Sequence, residues 1–92
     1  MIKSFEHKGL EKYFYTGSTR GIRVIHAEKL RRLLTTLNAA TAVKDMDLPG
    51  YRLHPLKGHK KELWSVKVNG NWRITFKFKD GDAYIVNYLD YH

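Results

Sequence analysis

The second half of the chain alternates apolar and polar residues with a period of two, which is the period of β-strands. Trp64, Val66 and Val68 are separated by single residues, and residues 72–79 continue the alternation. A third run, residues 82–91, is rich in Tyr, Ile and Val. Asn-Gly-Asn at 69–71 and Asp-Gly at 80–81 separate the runs and are typical of hairpin turns. The pattern predicts three antiparallel strands joined by two hairpins.

Before residue 50 the apolar residues follow the period of a helix. Four leucines share one helix face because they stand at i, i+3, i+4 and i+7; they are Leu30, Leu33, Leu34 and Leu37. They predict an amphipathic helix over residues 26–40 whose leucine stripe packs in the core. An earlier helical pattern follows a predicted strand at 2–5 and ends at Gly17, and Thr41 is predicted to cap a short turn. Helices followed by strands predict an α+β fold, with N-terminal helices packed on one face of a mainly antiparallel twisted β-sheet.

The lengths of the turns predict how the strands pair. A three-residue loop at 69–71 and a two-residue turn at 80–81 keep the apolar residues on one side. The predicted pairs are Val68 with Trp72, Val66 with Ile74, Lys79 with Asp82, and Arg73 with Tyr88. The face toward the helices then comprises Trp64, Val66, Val68, Trp72, Ile74, Phe76, Phe78, Ile85 and Leu89. The opposite face is basic and aromatic, with Lys67, Arg73, Lys77, Tyr84, Tyr88, Asp90 and His92.

The charge of the chain points to its partners. Seventeen Lys and Arg against nine Asp and Glu give a net charge of +8 over 92 residues, and only Glu62 opposes the basic residues between 52 and 79. Such a charge indicates nucleic acid, an anionic membrane surface or an acidic protein, and the alternative is a solubilising surface. The absence of Cys excludes a disulfide framework, a Cys-ligated metal and a catalytic thiol. We expect a single domain over residues 1–92, in a reducing cytoplasm, with neither a signal peptide nor a membrane span.

Basic residues interleaved with tyrosine on an open sheet suit single-stranded nucleic acid, because cations hold phosphates and aromatic rings stack on bases. Cleavage of RNA through its 2′-hydroxyl needs a base, an acid, and cations for the charge that develops on phosphorus. Side chains of suitable types are His54, Lys57, Arg73, Asp90, Tyr91 and His92. Zinc held by His54 and His59 is not favoured, because the sequence has neither Cys nor a helical His-x-x-x-His pair. These residue types alone leave catalysis open.

Several motifs together resemble the HigB toxins of bacterial toxin–antitoxin systems, which belong to the RelE/ParE superfamily. They are YRLHPLKG at 51–58, WSV at 64–66, NWRITF at 71–76 and GDAYIVNYLDYH at 81–92, and the opening MIKSFEHKGLEKYF is similar as well. The resemblance spans nearly the whole chain, although residues 19–45 match only as a helical segment. It implies a compact toxin with the RelE/ParE-like microbial ribonuclease fold.

The resemblance also implies an activity and partners. It implies an endoribonuclease, independent of metal and cofactor, that enters the A site of the 70S ribosome and cuts the mRNA being translated. It implies a neutralising HigA-type antitoxin with a helix-turn-helix, a toxin–antitoxin complex that binds promoter DNA, and no membrane partner. The functional positions of the family fall on His54, Lys57, Arg73, Asp90, Tyr91 and His92. We expect substrate binding at Lys67, Asn71, Lys77 and Tyr88, where Asn71 bonds a base edge or is simply a turn residue.

We assign roles to these positions as hypotheses. Arg73 binds the scissile phosphate, and His92 is the general acid because an imidazole holds a proton near neutral pH. Lys57 is the general base or a cation for the transition state. Tyr91 orients or stacks the nucleotide, and Asp90 holds His92 or Lys57 in place. Which of Lys57, Tyr91 and His92 takes the proton stays open.

Two functions of other classes remain as alternatives. One is a ParE-like poison of DNA gyrase, against which the terminal Tyr91 and His92 argue. The other is a non-catalytic RNA-binding module, which would bind RNA with a steep salt dependence and leave it intact.

Overall fold

A computed structural model describes residues 1–58 and 62–91. Two helices, α1 (Lys8–Thr16) and α2 (Ala27–Ala39), precede an antiparallel sheet of four strands. The strands lie side by side in chain order and are β1 (His54–Pro55), β2 (Trp64–Asn69), β3 (Trp72–Lys79) and β4 (Asp82–Asp90). Short 3₁₀ turns cover Val24–His26 and Val43–Met46. The predicted α+β fold is confirmed, and the short β1 is an addition to it.

The helices pack on one face of the sheet because each presents one apolar side. The leucine stripe of α2 is at most 1% exposed, and it packs in one cluster with Leu10 of α1. From the sheet, Val66, Ile74 and Phe76 complete this cluster. Burial of each large apolar side chain stabilises the fold by about 1.5–3 kcal/mol. The helix predicted over residues 26–40 and its buried stripe are therefore confirmed.

Local hydrogen bonds fix the ends of the shorter elements. Gly17 ends α1 in the left-handed conformation, with φ 80°, and its N–H donates to the Tyr13 carbonyl, so this predicted helix end is confirmed. The predicted cap at Thr41 is wrong. Instead, the carboxylate of Asp45 accepts the backbone N–H groups of Thr41 and Ala42 at 3.0 and 3.1 Å. These two hydrogen bonds lower the pKa of Asp45.

The loop between the helices crosses α1 in backbone contact. A Cβ placed on Gly9 would lie 2.5 Å from the carbonyl oxygen of Gly21, and a Cβ on Gly21 would lie 2.4 Å from Cα of Gly9. Only glycine fits at both positions. The contact holds the loop against the first turn of α1, and Val24 and Ile25 stand exposed further along the chain.

The N-terminal segment lies along the outer edge of β4. Ile2 pairs with Ala83 and Phe5 pairs with Val86, in both cases through an isolated parallel bridge. The backbone N–H of Lys3 donates to the Ala83 carbonyl at 2.8 Å. The strand predicted at 2–5 thus takes the form of two bridges that cover the edge of the sheet.

The two hairpins pair only in part as predicted. The confirmed pairs are Val66 with Ile74 and Lys79 with Asp82. In the first hairpin, Trp72 pairs with Asn69 rather than with Val68, and the register shifts by one residue. The turn is therefore the two residues 70–71, with φ 57° at the glycine, and the predicted three-residue loop is wrong. A left-handed residue in a two-residue turn matches the twist of the flanking strands.

A bulge in β4 reverses the sheet faces on which the later side chains of that strand lie. Ile85, with φ 48°, is the extra residue where the register between β3 and β4 shifts. Beyond it, Tyr88 pairs with Ile74 and Leu89 pairs with Arg73. Tyr88 is consequently buried among the helices, and Leu89 lies on the opposite face. The predicted pairing of Arg73 with Tyr88 and the predicted faces of Tyr88 and Leu89 are wrong, because one inserted residue reverses the alternation.

Candidate active site

The sheet face that points away from the helices is polar, and we call it the outer face. Its residues on β2, β3 and β4 are Ser65, Lys67, Arg73, Thr75, Lys77, Lys79, Asp82, Tyr84, Asn87 and Leu89. Ser65 and Thr75 are paired in the middle of this face and are 1% and 4% exposed. Longer basic side chains on either side of this pair stay partly exposed. The outer face therefore has a buried floor of small hydroxyl residues between cations.

Arg73 is held at one end of the outer face by backbone carbonyls. Its Nη1 donates to the carbonyl oxygen of Gly70 at 2.6 Å and to that of Trp72 at 3.1 Å. In the register, Arg73 lies opposite Lys67. Within residues 1–58 and 62–91, neither Nη2 nor Nε of Arg73 has an acceptor. The guanidinium is thus oriented with two donors available, a geometry that suits a phosphate.

The end of β4 brings further predicted residues to this end of the sheet. The N–H of Tyr91 donates to the Asn71 carbonyl at 2.8 Å, and the Tyr91 side chain is 42% exposed. Asp90 pairs with Trp72 and therefore lies by register on the side of the sheet opposite to the outer face. The predicted position of Asp90 on the outer face is wrong. Its side chain is exposed at the rim of the sheet. His92, the predicted general acid, lies outside the described residues.

His54 comes from β1, at the edge of the sheet beyond β2. It pairs with Ser65, which in turn pairs with Thr75, so its backbone stands two strands, about 10 Å, from β3. Nδ1 of His54 lies 2.9 Å from the carbonyl oxygen of Arg52. A carbonyl only accepts, so Nδ1 carries the proton and Nε2 of the neutral ring is left as an acceptor. The exposed imidazole is therefore oriented for proton exchange through Nε2.

Lys57 lies in the turn that follows β1, with its side chain exposed. Just before it, the N–H of Leu56 donates to the Leu63 carbonyl at 2.8 Å. Leu63 is four positions along the chain from Lys67, which faces Arg73, and this separation is about 13 Å in a strand. The backbone of Lys57 therefore lies beyond the start of β2, several residues along the sheet from Arg73.

Tyr88, predicted to bind substrate, is buried at 4% exposure in a polar cluster beneath the sheet. Its hydroxyl lies 2.6 Å from Nδ1 of His26 and accepts the backbone N–H of Arg23 at 3.4 Å. The ring packs against Trp72, with centroids 4.7 Å apart, and meets the ring of His7 edge-on. A ring enclosed in this way presents no face on which a base could stack. The predicted placement of Tyr88 on the substrate-binding face is therefore wrong.

Burial shifts the pKa values of three side chains in this cluster. It raises the pKa of Tyr88, and it lowers the pKa of His7 and of His26, the latter with help from the charge of Arg23. The sequence does carry a signal for His26, because it stands four residues before Leu30 and so extends the leucine stripe backward. The cluster lies directly behind Trp72, whose carbonyl holds Arg73. It therefore supports the end of the sheet at which Arg73 lies.

Residues 3–92 match a family described as HigB-like toxin, the RelE-like toxin of the type II toxin–antitoxin system HigB. The chain belongs to the HigB-like toxin family. It is 47% identical over 92 residues to the protein named Endoribonuclease HigB of Proteus vulgaris, with both chains covered in full. It is 34% identical over 94 residues to Toxin HigB-1 of Vibrio cholerae serotype O1 (strain ATCC 39315 / El Tor Inaba N16961), covering all of this chain and 98% of that protein. The predicted resemblance to HigB toxins is confirmed.

Membership of the HigB-like toxin family has a direct implication for partners. The family consists of toxins of type II toxin–antitoxin systems, so an antitoxin is a partner of this chain. In the part of the chain that the structure describes, no helix is long and apolar enough to cross a membrane. That same part contains no group of three or more His, Cys, Asp and Glu side chains suited to a metal ion.

Proposed function

We propose that this endoribonuclease of the HigB-like toxin family cuts mRNA in the A site of the 70S ribosome, in the bacterial cytoplasm. A HigA-type helix-turn-helix antitoxin neutralises it, and the toxin–antitoxin complex binds promoter DNA. The name of the relative from Proteus vulgaris supports action on RNA. The observation that carries the proposal is Arg73, fixed by two backbone carbonyls on a basic face with two further donors available.

The reaction is an attack of the RNA on its own backbone. The 2′-oxygen bonds to phosphorus and the bond from phosphorus to the 5′-oxygen breaks, which leaves a cyclic phosphate and a 5′-hydroxyl. One group takes the proton of the 2′-hydroxyl, and another gives a proton to the departing 5′-oxygen. Negative charge meanwhile grows on the two non-bridging oxygens. Nη2 and Nε of Arg73 suit these oxygens, because a guanidinium donates two parallel hydrogen bonds.

The proton transfers and the binding of the nucleotide fall to the other predicted residues. Nε2 of His54 is an acceptor in the tautomer that the hydrogen bond to the Arg52 carbonyl requires, which supports a proton-accepting role for it. Tyr91 is exposed next to the Arg73 hairpin, and its ring suits stacking on the nucleotide. His92 remains our general acid, with Asp90 as its positioning residue. Lys57 is exposed in the turn that follows β1, so it acts as a cation that approaches a bound nucleotide from the β1 side.

Three polar residues complete the substrate surface. Lys67 lies opposite Arg73 and adds positive charge beside the scissile phosphate. Asn71 is exposed in the turn between β2 and β3, where its amide is suited to a base edge. Lys77 lies further along β3 on the same face. Together they give the RNA backbone a series of cations that runs along the outer face.

The test compares two arginine variants in cells that translate a reporter mRNA. Arg73→Ala removes the oriented guanidinium, and Arg20→Ala removes an exposed arginine in the loop after α1 as a matched control. After induction, the 5′ ends of the reporter are mapped with and without its start codon. We expect in-frame cuts only in the translated message. Arg73→Ala should reduce the cleavage rate about 10²–10³-fold, and Arg20→Ala should leave it unchanged.

Other outcomes identify other functions. Equal cutting of the message that lacks a start codon would refute ribosome dependence. Broken DNA with intact mRNA would indicate a gyrase poison, and intact DNA with intact but bound mRNA would indicate an RNA-binding module. Thermal melts of both variants check that each is folded. If folded Arg73→Ala cuts at the wild-type rate, the catalytic role of Arg73 is wrong.

A further inference from the structure

A cavity of about 540 Å³ opens on the outer face at the end opposite the Arg73 hairpin. It is lined by Ser4, Lys77, Lys79, Asp80, Tyr84 and Ile85. This volume lies within the range of about 300–1,000 Å³ that is usual for small-ligand sites. Lys77 is four residues along β3 from Arg73, or about 13 Å. The cavity is therefore separate from the Arg73 site but lies on the same face and along the same strand.

One wall of the cavity is formed by the bulge of β4. Ile85 is a β-branched residue with φ 48°, which is an unfavourable backbone conformation for this residue type. Its N–H donates to Oγ of Ser4 at 2.8 Å, so the N-terminal segment fixes the bulge in place. The bulge keeps Tyr84 on the outer face beside Lys77 while it turns Val86 and Tyr88 inward. Bulges occur preferentially next to functional sites, where they redirect side chains.

The chemistry of the walls selects the ligand. Tyr84 lies directly opposite Lys77 in the register, and its ring is only partly buried. Lys79 follows two residues later on the same face and is exposed. An aromatic ring beside two ammonium groups suits a base with its phosphates. Asp80, at the turn, is an acceptor for the amino group that adenine, cytosine and guanine carry but uracil lacks.

The geometry points to this cavity as a subsite for one nucleotide of single-stranded RNA, whose base stacks on Tyr84 and whose phosphates contact Lys77 and Lys79. The inference rests on the proposed function, since it extends the RNA from the Arg73 site along the outer face. A polyanion is favoured over a protein segment because Arg73, Lys77 and Lys79 form one series of cations along β3. The subsite would hold the message a few nucleotides away from the bond that is cut.

The test measures binding of a short single-stranded RNA whose 2′-hydroxyls are methylated, so that it is not cleaved. Fluorescence anisotropy gives the affinity over a series of salt concentrations for the wild type, Tyr84→Ala, Tyr84→Phe and Lys77→Gln. The controls are Tyr15→Ala, which removes a tyrosine that is 64% exposed on α1, and Lys12→Gln, which removes an exposed lysine of the same helix. Thermal melts establish that each variant is folded.

Removal of the stacking ring and removal of a positive charge should change RNA binding in different ways. Tyr84→Ala should weaken binding about 5- to 100-fold without changing the salt dependence, and Tyr84→Phe should bind as the wild type does. Lys77→Gln should weaken binding and reduce the slope of log affinity against log salt by about 0.7, which is one phosphate contact. Both controls should match the wild type. Wild-type affinity for RNA in folded Tyr84→Ala would overturn the subsite. The same conclusion would hold if this variant bound RNA normally but no longer bound the antitoxin.

The cleavage assay of the proposed function separates the two conclusions. If Tyr84→Ala weakens RNA binding but the wild type cuts no mRNA, the subsite is supported and the proposed cleavage is refuted. If Tyr84→Ala binds RNA normally and the wild type cuts translated mRNA, the cleavage is supported and the subsite is refuted.

Discussion

Removal of the Tyr88 hydroxyl alone should destabilise the protein and leave its affinity for RNA unchanged. In Tyr88→Phe the ring still packs against Trp72, at the observed centroid distance of 4.7 Å. Two contacts disappear: the 2.6 Å contact with Nδ1 of His26 and the hydrogen bond from the backbone N–H of Arg23. The hydroxyl accepts from Arg23 and still has one proton and a second acceptor site, so Nδ1 of His26 loses its partner whichever of the two atoms donates.

The loss can be estimated from the burial of these partners. His26 is 2% exposed, so water does not take the place of the hydroxyl beside Nδ1. A buried polar atom left without a partner costs about 1–3 kcal/mol. The bond from Arg23 is longer, at 3.4 Å, and Arg23 is exposed, so its loss adds little. In a domain of this size each kcal/mol lowers Tm by about 4–8 °C, which predicts a decrease of about 5–20 °C.

Urea denaturation followed by circular dichroism gives the free energy of unfolding of Tyr88→Phe. The matched control is Tyr15→Phe, which removes an exposed hydroxyl and should stay within about 0.5 kcal/mol of the wild type. Both variants should bind single-stranded RNA with wild-type affinity. A Tyr88→Phe protein of unchanged stability and weakened RNA binding would show that the hydroxyl faces the ligand, which would refute its assignment to the core.

Three further perturbations test other parts of the fold. The free energy of unfolding should fall between pH 7 and 5, because burial lowers the pKa of His7 and His26 below the usual 6.5 and the unfolded chain therefore takes up protons first; a flat profile would contradict this. Gly9→Ala should destabilise by about 1–3 kcal/mol in a thermal melt, although alanine ordinarily favours a helix, because its Cβ would meet the Gly21 carbonyl; an unchanged Tm would disprove the close contact. Oγ of Ser65 is buried without a hydrogen-bond partner among the described residues, so Ser65→Ala should keep or increase stability in urea denaturation, and a loss above about 0.5 kcal/mol would reveal a partner.

Elements that depend on local spacing are predictable from the sequence. The stripe from Leu30 to Leu37 defines α2 because residues at i, i+3, i+4 and i+7 share a face whatever surrounds them. Gly17 ends α1 for a reason that is equally local, since its left-handed φ of 80° is unfavourable for other residues. Arg73 is found on the outer face because the alternation of β3 is unbroken from residue 72 to residue 79.

The faces of β4 are not predictable in the same way. Ile85 is a good strand former, and nothing near it in the sequence indicates a left-handed φ of 48°. The bulge is held by Ser4, which is 81 residues away in the chain. A single residue of this kind reverses every later side chain, which is why Tyr88, Leu89 and Asp90 are assigned to the wrong side. Alternation alone predicts a strand, and the distant contact decides its register.

The sequence predicts the residue types of the candidate site but not which of these residues lie close together. Residue types identify Arg73 and Tyr91, but their proximity depends on the hydrogen bond between Tyr91 and Asn71 across the end of the sheet. Lys57 and Arg73 have similar chemistry in the sequence, and only the ladder from β1 to β2 shows that their backbones are separated along the sheet. Sequence motifs therefore identify the participants, and strand register determines which of them meet.

Ile2 is synthesised long before Ala83, with which it pairs, and Ser4 long before Ile85. Contacts between residues so far apart in the chain form late in folding, because closing a large loop costs conformational entropy before the contacts stabilise the fold. The bulge of β4 and the cavity beside it therefore cannot form until residues 83–86 have been synthesised. A nascent copy of this toxin that lacks β4 has an incomplete outer face, so the order of synthesis delays the activity of the toxin until β4 is available.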